Sequence, residues 1–271
     1  MIGTKTLGYT LTTAALETAR TVILRSGAVE YIVNLAAERR GVGGRPSSGV
    51  APGLGAVLTV WLAIIRIGRV PSVAESHRAL EALDAEQREF LGIPEGPLLS
   101  YAAFHAWLTR LLEPLDSGAD LPARRITNRE QRARVAERSL DQRRKSADAA
   151  QHRHRVVNLL IAGSIDEPTP EGSAGDIVAD ETIIDLAGST EGMGTKPDKH
   201  RGAAYIGGYY MRDRTTGTAQ TGGSARYITK QGFGIGVTAV SRIGSPSNLY
   251  GIAPVITGIA IHAPTSGSLE G

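Results

Sequence analysis

Apolar residues recur at helical spacing through the first 160 positions of the chain. Residues 12–25 and 26–39 carry apolar side chains every three or four positions, which predicts two helices. Residues 53–67 are apolar almost all round and predict a central buried helix. Three short helices with N-terminal capping residues are predicted after it, at 72–83, 84–91 and 101–112. Their succession resembles a helix-turn-helix-like unit, although all-helical packing without DNA contact gives the same pattern.

Residues 126–160 predict one long, charged helix with a sparse apolar stripe. Between positions 124 and 155 the chain has eleven Lys or Arg residues against four Asp or Glu residues. Such an excess attracts polyanions, because fixed positive charges are neutralised by phosphate groups. The residues predicted to contact DNA in this segment are Arg124, Arg125, Arg132, Arg143, Arg144 and Lys145.

The loop at residues 39–48 predicts a second basic contact. Arg39, Arg40 and Arg45 stand among glycines that let the backbone approach another surface closely. One interpretation is a phosphate or minor-groove contact. The other is an ordinary flexible loop with solvated charges.

The pattern changes to extended segments after residue 175. Residues 176–187 are rich in β-branched side chains, residues 203–213 are aromatic, and residues 232–241 and 254–262 read as strong strands. We expect 177–184, 232–241 and 255–262 to be neighbours in one sheet, with the last two antiparallel. Glycines at 232, 234 and 236 do not indicate a dinucleotide site, because no βαβ unit surrounds them. They favour close packing across the strand.

Asp180 lies in the middle of the first extended segment. An unpaired carboxylate is costly in a buried strand, so Asp180 requires a metal, a turn or a basic partner. A hydrogen-bonding aspartate of an unrelated α+β protein is the plainer interpretation. A hydrolase that uses Asp180 with His200 or His262 is a further alternative.

The segment Asp180-Glu-Thr182 resembles the first catalytic strand of DDE-type insertion-sequence transposases, in which an aspartate ends the first strand of an RNase H-like sheet. Other stretches agree with actinobacterial proteins of this family: Gly44-Arg-Pro46, Leu91-Gly-Ile-Pro94, Ser100-Tyr101 and residues 232–243. The resemblance implies DNA strand cleavage and transfer, with Mg²⁺ held by Asp180 and two further carboxylates. Those two carboxylates are not identifiable, so we expect a truncated and inactive form, with the sheet ending after its third strand.

The predicted fold class is therefore α+β: a helical, basic DNA-binding region at 1–160, a linker at 161–175, and the start of an RNase H-like α/β sheet at 176–271. Expected partners are DNA at transposon ends and a second copy of the chain. A non-catalytic DNA-binding regulator derived from a transposase is the alternative function.

Composition excludes a few further classes of chemistry and location. The chain has 271 residues and no cysteine, which excludes disulfides and thiol chemistry. No apolar run is long enough to span a bilayer, so a cytoplasmic, nucleoid-associated protein without membrane contact is expected.

Overall fold

The computed structural model describes residues 8–38, 49–122, 124–166, 175–186, 198, 200, 204–216, 225–245, 248 and 251–264, with the backbone alone for 211–216 and 225–231. The chain divides into two compact units. The first contains residues 1–114 and 159–166, and the second contains residues 115–158 and 167–271. The predicted domain boundaries at 160 and 175 stay predictions.

The first unit is helical, as the apolar spacing predicts. Its helices are α1 (Thr13–Ser26), α2 (Ala28–Glu38), α3 (Leu54–Arg66), α4 (Val73–Glu81), α5 (Ala85–Phe90) and α6 (Tyr101–Leu112). The central helix α3 is the core element, since Val57, Val60, Ala63 and Ile64 are completely buried. This burial confirms the prediction made from its apolar surface.

Capping residues set where these helices begin and end. Ser72 Oγ accepts a hydrogen bond from the Glu75 amide at 3.1 Å. Asp84 and Gln87 form a reciprocal capping box at the start of α5. Gly27 ends α1 with a φ of 65°, a left-handed conformation that glycine adopts without a Cβ penalty.

The predicted single helix at 126–160 is wrong, because the segment forms two helices. These are α7 (Asn128–Ala136) and α8 (Leu140–Ser164). Between them, Ser139 Oγ accepts from the Gln142 amide at 3.2 Å, and Gln142 Oε1 accepts from the Ser139 amide at 2.9 Å. This reciprocal pair starts a new helix at the sequence Ser-x-x-Gln. Charge spacing alone does not show the break.

The strands β1 (Ile177–Asp185), β2 (Gly208–Thr216), β3 (Ala225–Arg242) and β4 (Val255–His262) form one antiparallel sheet. The long strand β3 is central. Its residues 234–242 pair with β1 on one edge. On its other edge, β2 pairs with residues 225–234 and β4 with residues 236–242, end to end. The predicted single sheet, with an antiparallel pair at 232–241 and 255–262, is confirmed, and so is the coarse α+β class.

Glycines in β3 leave room for rings on the neighbouring strands. A Cβ on Gly236 would lie 2.4 Å from the His262 ring, and one on Gly232 would lie 3.1 Å from the Tyr210 ring. Both distances are shorter than ordinary carbon contacts, so only glycine fits at position 236 without a shift. This agrees with the packing role predicted for these glycines.

The outer edge of β4 is hydrogen-bonded by side chains of α8. Asn158 donates from Nδ2 to Ile259 O at 2.9 Å and accepts from the Ile259 amide at 2.8 Å. His154 Nε2 lies 2.8 Å from Ile261 O and 3.2 Å from the Ile261 amide nitrogen. We call His154 and Asn158 the edge clasp, because they meet alternate residues of an edge strand as another strand would.

The edge clasp makes a testable contribution to stability. Asn158→Ala removes a donor and an acceptor from Ile259, and we expect the free energy of unfolding to fall by about 1–3 kcal/mol. We also expect a larger dimer fraction in light scattering, because the freed edge can pair with a second copy. Gln151→Ala, on an exposed position of the same helix, is the control. Equal denaturation midpoints for the two variants would contradict the stabilising role.

Candidate nucleic-acid groove and the Asp180 position

Asp180 lies in the middle of β1, and its side chain is exposed. It pairs with Ala239 of β3, which in turn pairs with Ile259 of β4. The described residues that share this face of the three strands include no second carboxylate. The strand is not buried, since every residue of β1 is exposed or only half-buried, so the reason for expecting a metal, a turn or a basic partner at Asp180 does not apply. A solvated carboxylate at this position has no desolvation cost to offset.

Other aspartates of the second unit make different contacts. Asp185 lies on the opposite face of β1 from Asp180, as the odd spacing predicts, and accepts a hydrogen bond from the Tyr210 hydroxyl. Asp198 forms an ion pair with Arg129 at 3.1 Å. The side chain of Asp213 lies outside the described residues.

This donor set does not fit a two-metal centre. Among the described residues, no group of three His, Asp or Glu side chains is placed to hold a metal ion. In-line displacement at phosphorus with two metals requires several carboxylates converging on one point. The Mg²⁺ expected from the family resemblance stays a prediction, and no catalytic step can be derived from Asp180 alone.

Of the two histidines in the hydrolase alternative, His262 is not placed to act with Asp180. His262 is buried on the opposite face of the sheet, with Nε2 3.0 Å from Thr238 Oγ1. His200 is exposed and forms an isolated bridge with Thr127. The histidine at the end of β4 therefore has a hydrogen-bonding role within the sheet.

The predicted DNA-binding residues at 124–145 are all exposed in the second unit. Arg124 is paired with Glu130 at 2.5 Å, and Lys145 with Asp141 at 2.7 Å. The other four form no ion pair with a described acidic residue: Arg125, Arg132, Arg143 and Arg144. The predicted contacts Arg39, Arg40 and Arg45 lie outside the described residues.

A groove of about 1100 Å³ runs between α7, α8 and the segment leading into β2. We call it the basic groove. Its charged lining is positive: Arg132, Arg138, Arg143 and Arg153, with His154 and His262 beside them. No Asp or Glu is among its described lining residues. A concave surface with one sign of charge focuses the electric field and concentrates ligands of opposite charge.

Arg138 lines the basic groove and makes a dense set of contacts there. Its side chain is buried and meets Asp120 in a two-point ion pair, at 2.8 Å from Nε and 2.5 Å from Nη2. It also donates to the Tyr205 hydroxyl at 2.9 Å and lies over the Tyr205 ring at 4.7 Å. Burial lowers the pKa of Arg138, but the hydrogen bonds to Asp120 and the electrostatic interactions with Tyr205 and Asp120 outweigh burial and raise the pKa above its ordinary value. All of its nitrogens are used, so Arg138 positions its neighbours.

Arg153 is less well compensated than Arg138. Its Nη1 donates to Leu115 O at 3.2 Å and to Ser117 Oγ at 2.8 Å, while its buried Nε has no hydrogen-bond partner among the described residues. Burial lowers the pKa of Arg153, and the nearby Asp116 opposes that shift only in part. A half-buried cation whose charge is only partly compensated favours the approach of an anion.

Comparisons of the chain with protein-family models, with curated proteins and with solved structures give no match. Among the described residues, no helix is both long enough and apolar enough to cross a membrane.

Sequence reasoning missed the residues that shape the basic groove beyond Arg132 and Arg143. The small-residue stripe on α8 (Ser146, Ala147, Ala150) gives the one available signal, since it leaves room beside the helix. Arg153 follows this stripe at helical spacing. The tyrosines at 205 and 209 stood out only as an aromatic cluster.

The isolation of Asp180 predicts a weak response to Mg²⁺. With a dissociation constant of 10 mM or above, 10 mM Mg²⁺ stabilises the fold by at most about 0.4 kcal/mol. We therefore expect no rise in the melting temperature beyond that of a chloride salt at equal ionic strength, for the wild type and for Asp180→Ala alike. A rise specific to Mg²⁺ that Asp180→Ala abolishes would establish a metal site.

Proposed function

We propose that this protein is a DNA-binding relative of DDE-type transposases, which holds transposon-end DNA through its phosphates and does not cut it. The observation that carries the proposal is the set of exposed arginines on and beside α7 and α8 without an acidic partner. Arg125, Arg132, Arg143 and Arg144 present positive charge from one unit. Four such side chains suit the regularly spaced charges of a nucleic-acid backbone.

The sheet order supports the link to transposases. The strand with Asp180 lies beside β3, and β3 lies beside β4, with antiparallel pairing throughout. The three strands expected from the resemblance at Asp180-Glu-Thr182 lie side by side in this order, and the sheet has in addition β2, which lies between β1 and β3 in the chain. The same geometry favours the non-catalytic alternative over a working transposase, because Asp180 has no second carboxylate on its face of the described strands.

Binding by phosphate contacts predicts a steep dependence on salt. Each neutralised phosphate contributes roughly −0.9 to the slope of log K against log salt concentration, so four contacts give about −3.6. Fluorescence anisotropy with a labelled duplex between 50 and 200 mM KCl measures this slope. We expect Arg125→Gln with Arg144→Gln to reduce the magnitude of the slope by about 1.8.

The control is Arg66→Gln with Arg110→Gln, which removes two exposed arginines from the first unit. If both double variants change the slope equally, the effect is one of net charge and the assignment to α7 and α8 fails. Affinity that does not vary with salt would contradict the proposal of DNA binding itself.

A nicking assay on transposon-end duplex with Mg²⁺ or Mn²⁺ tests the second part of the proposal, that the protein does not cut DNA. We expect no cleavage by the wild type or by Asp180→Ala.

A further inference from the structure

The basic groove has two chemically different walls. The first wall, from α7 and α8, contains Arg132, Arg143 and Arg153. The second wall, from the segment that enters β2 and the end of β4, contains Tyr205, Tyr209 and apolar side chains that include Ile206 and Ile261. Positive charge together with aromatic and apolar side chains, with no acidic group among the described lining, is the kind of lining that binds single-stranded nucleic acids.

The arginines of the groove keep donors for a ligand. Arg132 donates to Asn128 O at 3.3 Å through Nε, and no described residue accepts from its two terminal nitrogens. Arg143 uses Nε and Nη2 on the carbonyl groups of Arg138 and Ala136, at 3.1 and 3.2 Å. No described residue accepts from its Nη1. These contacts hold both guanidinium groups in place while terminal nitrogens stay available for phosphate oxygens.

Tyr209 supplies a stacking surface. Its ring contacts Phe233 edge to face, with centroids 5.1 Å apart and planes at 63°, and its hydroxyl donates to His200 O at 3.4 Å. The ring is therefore fixed by packing, and it is only half-buried. A rigid aromatic ring at the side of a positive groove can stack on any base, since each base has a π-face.

A duplex does not use this second wall. Its bases are stacked inside and paired, and it presents phosphates and sugars on its outside. Tyr209 and the apolar side chains near it would face sugar and water. An unpaired strand can turn its bases to the aromatic wall and its phosphates to the arginines.

We propose that the basic groove binds a short single-stranded segment of nucleic acid, with phosphates on Arg132, Arg143 and Arg153 and a base on Tyr209. This inference rests on the proposed function and assigns the strand state of the ligand. Arg143 and Arg153 are ten residues apart on α8, which corresponds to roughly 15 Å along the helix axis. That distance matches at most about four nucleotides at the 3.4 Å rise of one strand.

The experiment measures affinity of the full chain for a labelled single-stranded octamer and for a blunt duplex of the same sequence, at one salt concentration. We expect the single strand to bind more tightly per phosphate. The groove variant Arg132→Gln with Arg143→Gln should weaken single-strand binding by at least about tenfold, because it removes two charge-assisted contacts. Its effect on the duplex should be smaller.

The matched control is Arg129→Gln with Arg155→Gln. It removes two exposed arginines from the same two helices, and neither lines the groove. We expect the control to weaken single-strand and duplex binding by the same small factor. If the groove pair and the control pair reduce single-strand binding equally, the groove assignment is overturned.

A second variant does not depend on charge. Tyr209→Leu keeps an apolar contact with Phe233 but removes the ring, and we expect about a tenfold loss for the single strand with no change for the duplex. Tyr209→Phe keeps the ring and should bind as the wild type does. Loss in both variants, or in neither, would contradict stacking on Tyr209.

The outcomes separate this inference from the proposed function. Salt-dependent duplex binding with no preference for the single strand would overturn the groove assignment and leave the DNA-binding function in place. Absence of binding to either oligonucleotide would overturn both. Melting curves that match the wild type confirm that each variant is folded.

Discussion

The arrangement of the second unit depends on how the backbone groups along the outer edge of β4 are hydrogen-bonded. An edge strand has a row of backbone donors and acceptors that must be hydrogen-bonded by water, by another strand or by side chains. Here His154 and Asn158 reach alternate residues of β4 from one face of α8. Their spacing of four residues places them one turn apart on the helix, and the distance between Ile259 and Ile261 is close to that turn. The register between helix and strand is therefore fixed on both sides, and α8 can present Arg153 to the groove in one orientation only.

Arg138, which also lines the basic groove, fixes a second set of contacts in the same unit. A buried guanidinium without a counter-charge would be strongly destabilising, and the two-point contact with Asp120 removes that problem. Such a pair contributes little net stability compared with apolar packing, but its directional hydrogen bonds specify one geometry. Because Arg138 also contacts Ser146 and Tyr205, it ties the start of α8 to the segment that enters β2. Arg132 and Arg143, which are exposed in the groove, are then not required for the packing of this unit.

The sequence predicts most of the helices and three of the four strand positions closely. These elements are predictable because their signals lie in the local sequence. The Asp84 side chain accepts a hydrogen bond from the amide three residues later and starts α5, and β4 is rich in β-branched residues. The break before α8 has a local signal of the same kind, the capping pair Ser139 and Gln142. The continuous charge pattern across residues 126–160 nevertheless favoured a single helix. The groove could not be predicted in this way. It requires Arg132, Arg153 and Tyr209 to converge from three separate segments, and only the packed sheet and helices bring them together.

The two edges of the sheet are protected by different means, and this difference changes the meaning of Asp180. The outer edge of β4 is covered by α8, while β1 is the opposite edge among the described strands. At its centre β1 has two adjacent acidic residues, Asp180 and Glu181, on opposite faces. Charges at the centre of an edge strand oppose pairing with another copy, because two such strands would bring carboxylates together. Solvation and resistance to self-association are therefore sufficient to explain a carboxylate at the centre of β1.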